Sequence, residues 1–261
     1  MNRLALRVLG VVATLAPTLA AAQQAPADTA APLVLAGVTV VDVERGRLLP
    51  DRDVVVRGSR IASVGPAGRA RTPAGARTVD ARGRYLIPGL WDMHVHSGGD
   101  REARTVFFPL YLANGVTGVR HMFGNAAVLR QRADVASGAQ PGPRLVVGSP
   151  IVDGPNPMWP GSVRISTAAE AARALDSISA GGYDFVKSYQ FIPREAYFGL
   201  LAAARKRGFP VSGHVPFSAG AGEASDSGQK SLEHLVGVSL ACSSREDSLR
   251  AVLAAAAAAV D

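Results

Sequence analysis

Cysteine is almost missing from this chain of 261 residues, in which Cys242 stands alone. A disulfide within the chain is therefore excluded, and Cys242 is interpreted as a small, buried apolar side chain. Lysine is scarce too, since only three of the 28 basic residues are lysines. The arginines are dispersed and form no cluster that alternates with aromatics, which argues against nucleic acid as a partner despite a formal net charge of +7. The apolar stretch near the N-terminus is too short to span a membrane comfortably, so no stable membrane insertion is expected once a signal peptide is removed.

The first 22 residues have the pattern of a secretory signal peptide. Arg3 and Arg7 precede a short apolar stretch over residues 8–19, and residues 20–22 are alanines suited to cleavage near Ala22. We therefore expect export to a bacterial periplasm or out of the cell. Residues 23–32 are rich in alanine, proline and glutamine and are interpreted as a linker.

Residues 33–88 differ in character from what precedes them. Short runs rich in β-branched residues, LVLAGVTVVDV, DVVVRGSRIASVG and ARTVDA, are separated by turn sequences such as Arg45-Gly46 and Gly65-Pro66. This pattern predicts a small antiparallel β unit.

Residues 89–261 alternate strand-like and helix-like segments, which predicts an α/β fold of parallel strands covered by helices. Thr167, followed three residues later by Glu170, predicts a capping box at the start of one helix. A closed (β/α)₈ barrel needs eight strand–helix units, so the six predicted here give an incomplete barrel of the TIM type. The predicted strands are residues 90–95, 116–122, 144–152, 184–189, 210–215 and 231–236, and the predicted helices are 101–114, 126–136, 168–180, 193–207, 219–227 and 245–260.

The motif GLWDMHVH places His94 and His96 two residues apart on the first of these strands. Side chains alternate along a strand, so both rings point to the same side, near the end of the strand where barrel enzymes carry out catalysis. Two imidazoles at this spacing can share one metal ion. Asp92 lies on the same face and is interpreted as a residue that orients the two imidazoles without binding the metal itself.

Lys187, in DFVKSY, lies in an apolar strand of a chain that nearly always uses arginine. A buried lysine is costly unless it is paired or chemically altered, and a lysine whose ammonium reaches water at the strand end is the alternative. Tyr189 faces the same side, either as a substrate contact or as a packed aromatic. His214, in VSGHV, and His234, in SLEHL, follow the next two predicted strands.

Together, these four motifs in this order resemble the metal site of the amidohydrolase superfamily, enzymes that hydrolyse amide and ester bonds with metal ions in a (β/α)₈ barrel. The likeness is greatest to the imidazolonepropionase-like and Xaa-Pro-dipeptidase-like branch. It implies a small β-sandwich over residues 33–88 and a partial hydrolase barrel over residues 89–261. His121, in VRHMFG, inherits no metal role and is interpreted as a structural or substrate-pocket residue. The implied cofactors are two divalent metal ions, zinc by expectation, bound by His94, His96, His214, His234 and a carboxylated, bridging Lys187.

The resemblance implies hydrolysis of carbon–nitrogen bonds in small substrates, such as dipeptides or N-acyl amino acids, by a metal-activated bridging water. The general base of the family, an aspartate after the eighth strand, has no counterpart in this sequence. The catalytic residue is thus unassigned, and little or no turnover is expected of these 261 residues alone. Two alternatives stay open: a hydrolase of cyclic imides or ureides, similar to dihydroorotases and hydantoinases, and a non-catalytic, truncated remnant.

Overall fold

The computed structural model describes residues 31–69 and 71–258. The chain divides into two compact units, Met1–Ile87 and Pro88–Asp261. The predicted signal peptide, its cleavage site and residues 23–30 of the predicted linker lie outside the described residues. Within the described ranges, no helix is both long enough and apolar enough to cross a membrane.

The described part of the first unit is a single five-stranded sheet in the order β3-β2-β1-β4, with β5 also paired to β1. The antiparallel prediction is confirmed for β1, β2 and β3, which are joined by short turns. It is wrong for β4 and β5, which pair parallel to β1. The connection between β3 and β4 is longer than a hairpin turn, so β4 can begin beside the start of β1 and run in the same direction. The predicted sandwich is not confirmed. The strands are β1 (Leu33–Asp42), β2 (Arg47–Arg57), β3 (Arg60–Pro66), β4 (Arg77–Asp80) and β5 (Tyr85–Leu86).

The second unit is built on a curled sheet in which every strand pairing is parallel. Its main order, β12-β11-β10-β8-β7-β6, follows the order in the sequence, and the short β9 pairs with β8. Each connection therefore moves one strand along in the same direction, which is the winding of a (β/α)₈ barrel. This confirms six parallel strands of such a barrel. The six are β6 (Leu90–Val95), β7 (Val116–His121), β8 (Arg144–Asp153), β10 (Phe185–Ser188), β11 (Val211–Gly213) and β12 (Ser231–Leu232), and the additional short strand is β9 (Val163–Arg164).

Helices follow the strands close to the predicted positions. The capping box is confirmed: Thr167 Oγ accepts from the Glu170 N–H and the Glu170 carboxylate accepts from the Thr167 N–H, both at 3.2 Å. The first helical region contains a π-helical turn, Ala103–Phe107, and a single 3₁₀ turn, Glu233–Leu235, follows β12. The α-helices are α1 (Asp100–Glu102), α2 (Phe108–Ala113), α3 (Ala126–Ser137), α4 (Ala168–Ala180), α5 (Arg194–Arg207), α6 (Ala221–Asp226), α7 (Val238–Ala241) and α8 (Glu246–Ala258).

The largest apolar core of the second unit packs α4 and α5 against the sheet. Leu175, Tyr197 and Leu200 are fully buried there, together with Val186 of β10. This packing fixes the strands, and therefore the residues that follow their carboxyl ends. Cys242 is exposed, so its interpretation as a buried apolar residue is wrong; it lies just beyond the short helix α7, which is too brief for a periodic pattern to reveal.

Candidate metal centre

The first strand of the parallel sheet brings two imidazoles together. His94 lies near the end of β6 and His96 directly follows that strand. Their Nε2 atoms are 3.3 Å apart. Two nitrogens that each lie 2.0–2.1 Å from a tetrahedral zinc ion are separated by about 3.3 Å. The pair therefore has the spacing of two ligands on one metal ion.

Lys187 lies in β10 with 1% of its surface exposed, so the alternative of an ammonium that reaches water is wrong. Its backbone N–H donates to Ser149 Oγ at 3.0 Å. Burial lowers the pKa of its ammonium to about 8, with Glu233 opposing and Arg120 reinforcing the effect. At pH 7 roughly a tenth of the side chain is then the neutral amine, far more than for a lysine in water.

His214 follows β11 directly, and Gly213 makes that position possible. Gly213 has φ 144°, and a Cβ there would lie 2.3 Å from the Ser188 carbonyl oxygen, so glycine is needed where β11 approaches β10. The His214 ring stacks on Tyr189 with ring centroids 4.2 Å apart. Burial, followed by the positive charge of Lys187, lowers the pKa of His214 to about 3. Its Nδ1 is buried without a hydrogen-bond partner, as expected of an atom with a ligand to bind.

His234 lies in the turn that follows β12, in an uncommon backbone conformation. Its φ is 57° and that of Leu235 is 56°, a region where non-glycine residues cost about 1–3 kcal/mol and which is common at functional sites. The His234 ring centroid is 4.4 Å from that of His94 and 5.1 Å from that of His214. This turn therefore places the His234 ring near those of two other predicted ligands, His94 and His214.

All five histidines of the chain gather at the carboxyl ends of these strands. Lys187 lies close enough for its charge to lower the pKa of three of them. In residues 31–69 and 71–258, no group of three or more His, Cys, Asp or Glu side chains is already arranged to hold a metal ion. The Nε2 spacing of His94 and His96 and the unpartnered Nδ1 of His214 both fit a metal ion.

The remaining predicted residues have protein partners of their own. Both ring nitrogens of the buried His121 face backbone N–H groups, those of Ser97 and Phe123, at 3.3 Å, and burial lowers its pKa to about 4. The Tyr189 hydroxyl accepts from Trp159 Nε1 at 2.9 Å, beside its stacking on a histidine ring. Asp92 accepts from the backbone N–H of His94 at 3.1 Å. It is therefore the backbone of His94, and not its ring, that Asp92 contacts.

Sequence reasoning missed Glu233, the residue that contacts the His94 ring. Its Oε2 lies 2.6 Å from His94 Nδ1, and its Oε1 accepts from Arg120 and Ser231. The spacing offered a clue, because Ser231 and Glu233 share one face of a predicted strand while His234 lies on the other. The contact between Glu233 and His94 joins residues 139 positions apart in the sequence, so no local sequence pattern predicts it.

The protonation states suit metal binding. Partial desolvation of the rings is the main cause that lowers the pKa of His94 and of His96, so both rings are mainly neutral at pH 7 and carry a lone pair. Burial tends to raise the pKa of Glu233, but hydrogen bonds from Ser231 and His94 and the charge of Arg120 outweigh it and lower the pKa. Glu233 is therefore an ionised carboxylate at neutral pH.

Comparisons with known proteins give a consistent result. No protein-family profile matches the chain. An adenine deaminase from Chelativorans sp. (strain BNC1) is 32% identical over 197 residues, which are 70% of this chain and 32% of the relative. A second, from Rubrobacter xylanophilus (strain DSM 9941 / JCM 11954 / NBRC 16129 / PRD-1), is 42% identical over 98 residues, 37% of this chain and 16% of that protein. The chain thus spans about a third or less of the length of these curated relatives.

Solved structures share the fold. The bottromycin amidohydrolase superimposes with a TM-score of 0.67 at 28% identity, covering 81% of this chain and 44% of that one. A putative prolidase from Bifidobacterium longum gives a TM-score of 0.63 at 23% identity over 71% of this chain and 49% of that one, which supports the fold alone. Together, these similarities support the assignment of this chain to the amidohydrolase superfamily.

Proposed function

We propose that this chain carries the histidine and lysine part of a metal-dependent hydrolase site that cleaves carbon–nitrogen bonds in small molecules. The observation that carries the proposal is the convergence of every histidine of the chain with the buried Lys187 at the carboxyl ends of the parallel strands. In barrels of this type, that end of the sheet is where catalysis takes place.

The proposed roles of the side chains are those that the family resemblance implies, and their convergence supports them. His94 and His96 bind one divalent metal ion, with zinc as the leading candidate, and His214 and His234 bind a second. The neutral amine of Lys187 could add carbon dioxide, with formation of an N–C bond and loss of a proton, and the resulting carbamate would supply oxygen ligands for metal. When bound, such ions supply the Lewis acidity that activates water and polarises the bond to be cleaved.

Dipeptides and N-acyl amino acids are the proposed substrates, because the four motifs most resemble the Xaa-Pro-dipeptidase-like branch and a bottromycin amidohydrolase is similar at 28% identity. A second candidate is hydrolytic removal of an exocyclic amine from a purine, supported by the sequence similarity to an adenine deaminase over 70% of this chain. Both reactions break a carbon–nitrogen bond by addition of water, so the same metal-binding residues serve either.

The test is a substrate screen of the native gene product, loaded with zinc and compared with the same sample after chelation. A prolyl dipeptide, an N-acetyl amino acid, a cyclic ureide and adenine separate the candidates, with free amine, acid or ammonia as readout. We expect metal-dependent turnover of the dipeptide or the acyl amino acid. Turnover of adenine alone would favour the second candidate, and equal rates before and after chelation would contradict a metal-dependent hydrolase.

We further propose that the protein is exported to the periplasm or the medium, supported by Arg3, Arg7 and the apolar residues 8–19. Its mature N-terminus is then expected near Gln23. N-terminal sequencing and the intact mass of the native product, isolated from cell fractions, test this. A cytoplasmic product that begins at Met1 would contradict it.

A further inference from the structure

Glu233 joins a predicted metal ligand to a set of hydrogen-bond donors. Its Oε2 lies 2.6 Å from His94 Nδ1. Its Oε1 accepts from Arg120 Nη2 and from Ser231 Oγ, both at 2.5 Å. Glu233 is 7% exposed, so water has little access to replace these partners.

The direction of each hydrogen bond in this network is determined. Arginine carries donors only, and Arg120 is held in place because its Nε donates to the Met93 carbonyl oxygen at 2.7 Å. Its Nη1 donates to Ser231 Oγ at 3.1 Å, so the Ser231 hydroxyl uses its own hydrogen toward Glu233. Oε1 is therefore an acceptor in both of its bonds, and Oε2 is the atom left for His94.

We propose that Glu233 is a positioning residue that holds His94 in the Nδ1–H tautomer and thereby keeps the Nε2 lone pair free for a metal ion. The inference rests on the proposed function, since it takes His94 to be a metal ligand. An ionised carboxylate accepts hydrogen bonds and cannot donate one, so the proton of the neutral ring lies on Nδ1. The free Nε2 then faces His96 Nε2 across the 3.3 Å gap that suits two ligands of one ion.

The network predicts an unusual result for Glu233→Gln, which keeps the shape of the side chain. Arg120 and Ser231 require an acceptor, so the amide oxygen takes the place of Oε1 and the amide nitrogen takes the place of Oε2. That nitrogen donates to His94 Nδ1, which moves the ring proton to Nε2 and directs it at the metal position. Glu233→Ala offers His94 neither a donor nor an acceptor and so leaves both tautomers accessible.

Two measurements on the full chain test the proposal. The first is ¹⁵N NMR of the imidazole nitrogens in the metal-free protein, with the His94 signals assigned by their loss in His94→Gln. Nδ1 is expected to carry the proton in the wild type, and Nε2 in Glu233→Gln. The second is the zinc affinity by competition with a chromophoric chelator. We expect a 10- to 100-fold loss for Glu233→Gln, the range typical of partners behind metal ligands, and a smaller loss for Glu233→Ala.

A matched control is Glu223→Gln in α6, where a carboxylate also accepts from an arginine, Arg194, but on the surface. It is expected to bind zinc as the wild type does. A merely structural role for Glu233 would give the opposite order, with the isosteric Gln milder than Ala, and would overturn the proposal. So would a wild-type His94 protonated at Nε2, a result that does not depend on the folding of any Glu233 variant. Failure of the wild type itself to bind zinc would instead refute the proposed function, while the tautomer measurement would still decide the role of Glu233.

Discussion

The two halves of the candidate site are held in place by different means. The inner half, Lys187 and His214, is buried between neighbouring strands, and the contact of Gly213 with β10 fixes its geometry. The outer half, His94 and His96, is partly open to solvent, and the ring of His94 is held by a hydrogen-bonded carboxylate. Close packing in one half and a polar network in the other thus both restrict the positions of the predicted ligands. The inner half should therefore respond to mutation mainly through stability, and the outer half mainly through metal affinity.

The largest expected effect is at the packing of the inner half. Gly213→Ala places a Cβ against the Ser188 carbonyl oxygen at a φ that alanine strongly disfavours, and we expect the free energy of unfolding to fall by about 3 kcal/mol or more. Urea denaturation measures this. The control is Gly222→Ala in α6, where no atom is within 4 Å of the new Cβ and a gain of up to about 1 kcal/mol is expected. Equal midpoints for the two variants would refute the close approach.

The second largest effect is expected in the pH dependence of stability. It arises from His121, a buried residue whose ring lies near that of His96 in the outer half. Its pKa is about 4 in the folded state and near 6.5 when unfolded, so below pH 6.5 the unfolded chain binds a proton that the folded chain excludes. Stability is therefore lost as pH falls, by about 2 kcal/mol from this group between pH 7 and pH 5. Denaturation of the metal-free protein at both pH values, compared with His121→Leu, isolates the contribution. The same pH dependence in that variant would contradict it.

Lys187→Met separates stability from metal binding within the inner half. The ammonium is desolvated, whereas methionine fills a similar volume without charge, so the metal-free chain should become more stable by about 1–2 kcal/mol. Binding of the second, bridged metal ion should be lost. Thermal unfolding and metal analysis after gel filtration give the two readouts. Two tightly held equivalents of metal in this variant would eliminate the bridging role.

The smallest effect on stability is expected in the outer half. His96 is exposed, so His96→Ala should change the free energy of unfolding of the metal-free protein by no more than about 0.5 kcal/mol. Zinc affinity should nevertheless fall, because one of the two paired Nε2 atoms is removed. A large loss of stability with unchanged zinc affinity would reverse the proposed contrast between the halves.

The local patterns of the sequence were sufficient to place the predicted ligands on or directly after particular strands. A strand of alternating side chains predicted both His94 and His96 on one side of β6, and the capping box at Thr167 predicted the start of α4. Long-range pairing was beyond such reasoning. The parallel pairing of β4 with β1 depends on the path of a connection, and the contact between Glu233 and His94 depends on how the sheet curls.

The most direct test of a metal centre built on these histidines is a zinc titration that compares the wild type with the double variant His94→Ala/His96→Ala. X-ray absorption at the zinc edge identifies the ligands in the same samples. We predict tight binding in the wild type with imidazole nitrogens among the ligands at about 2.0–2.1 Å, and an affinity at least tenfold lower in the double variant. Equal affinity of the two proteins, or a zinc environment without imidazole, would contradict a metal centre built on these histidines.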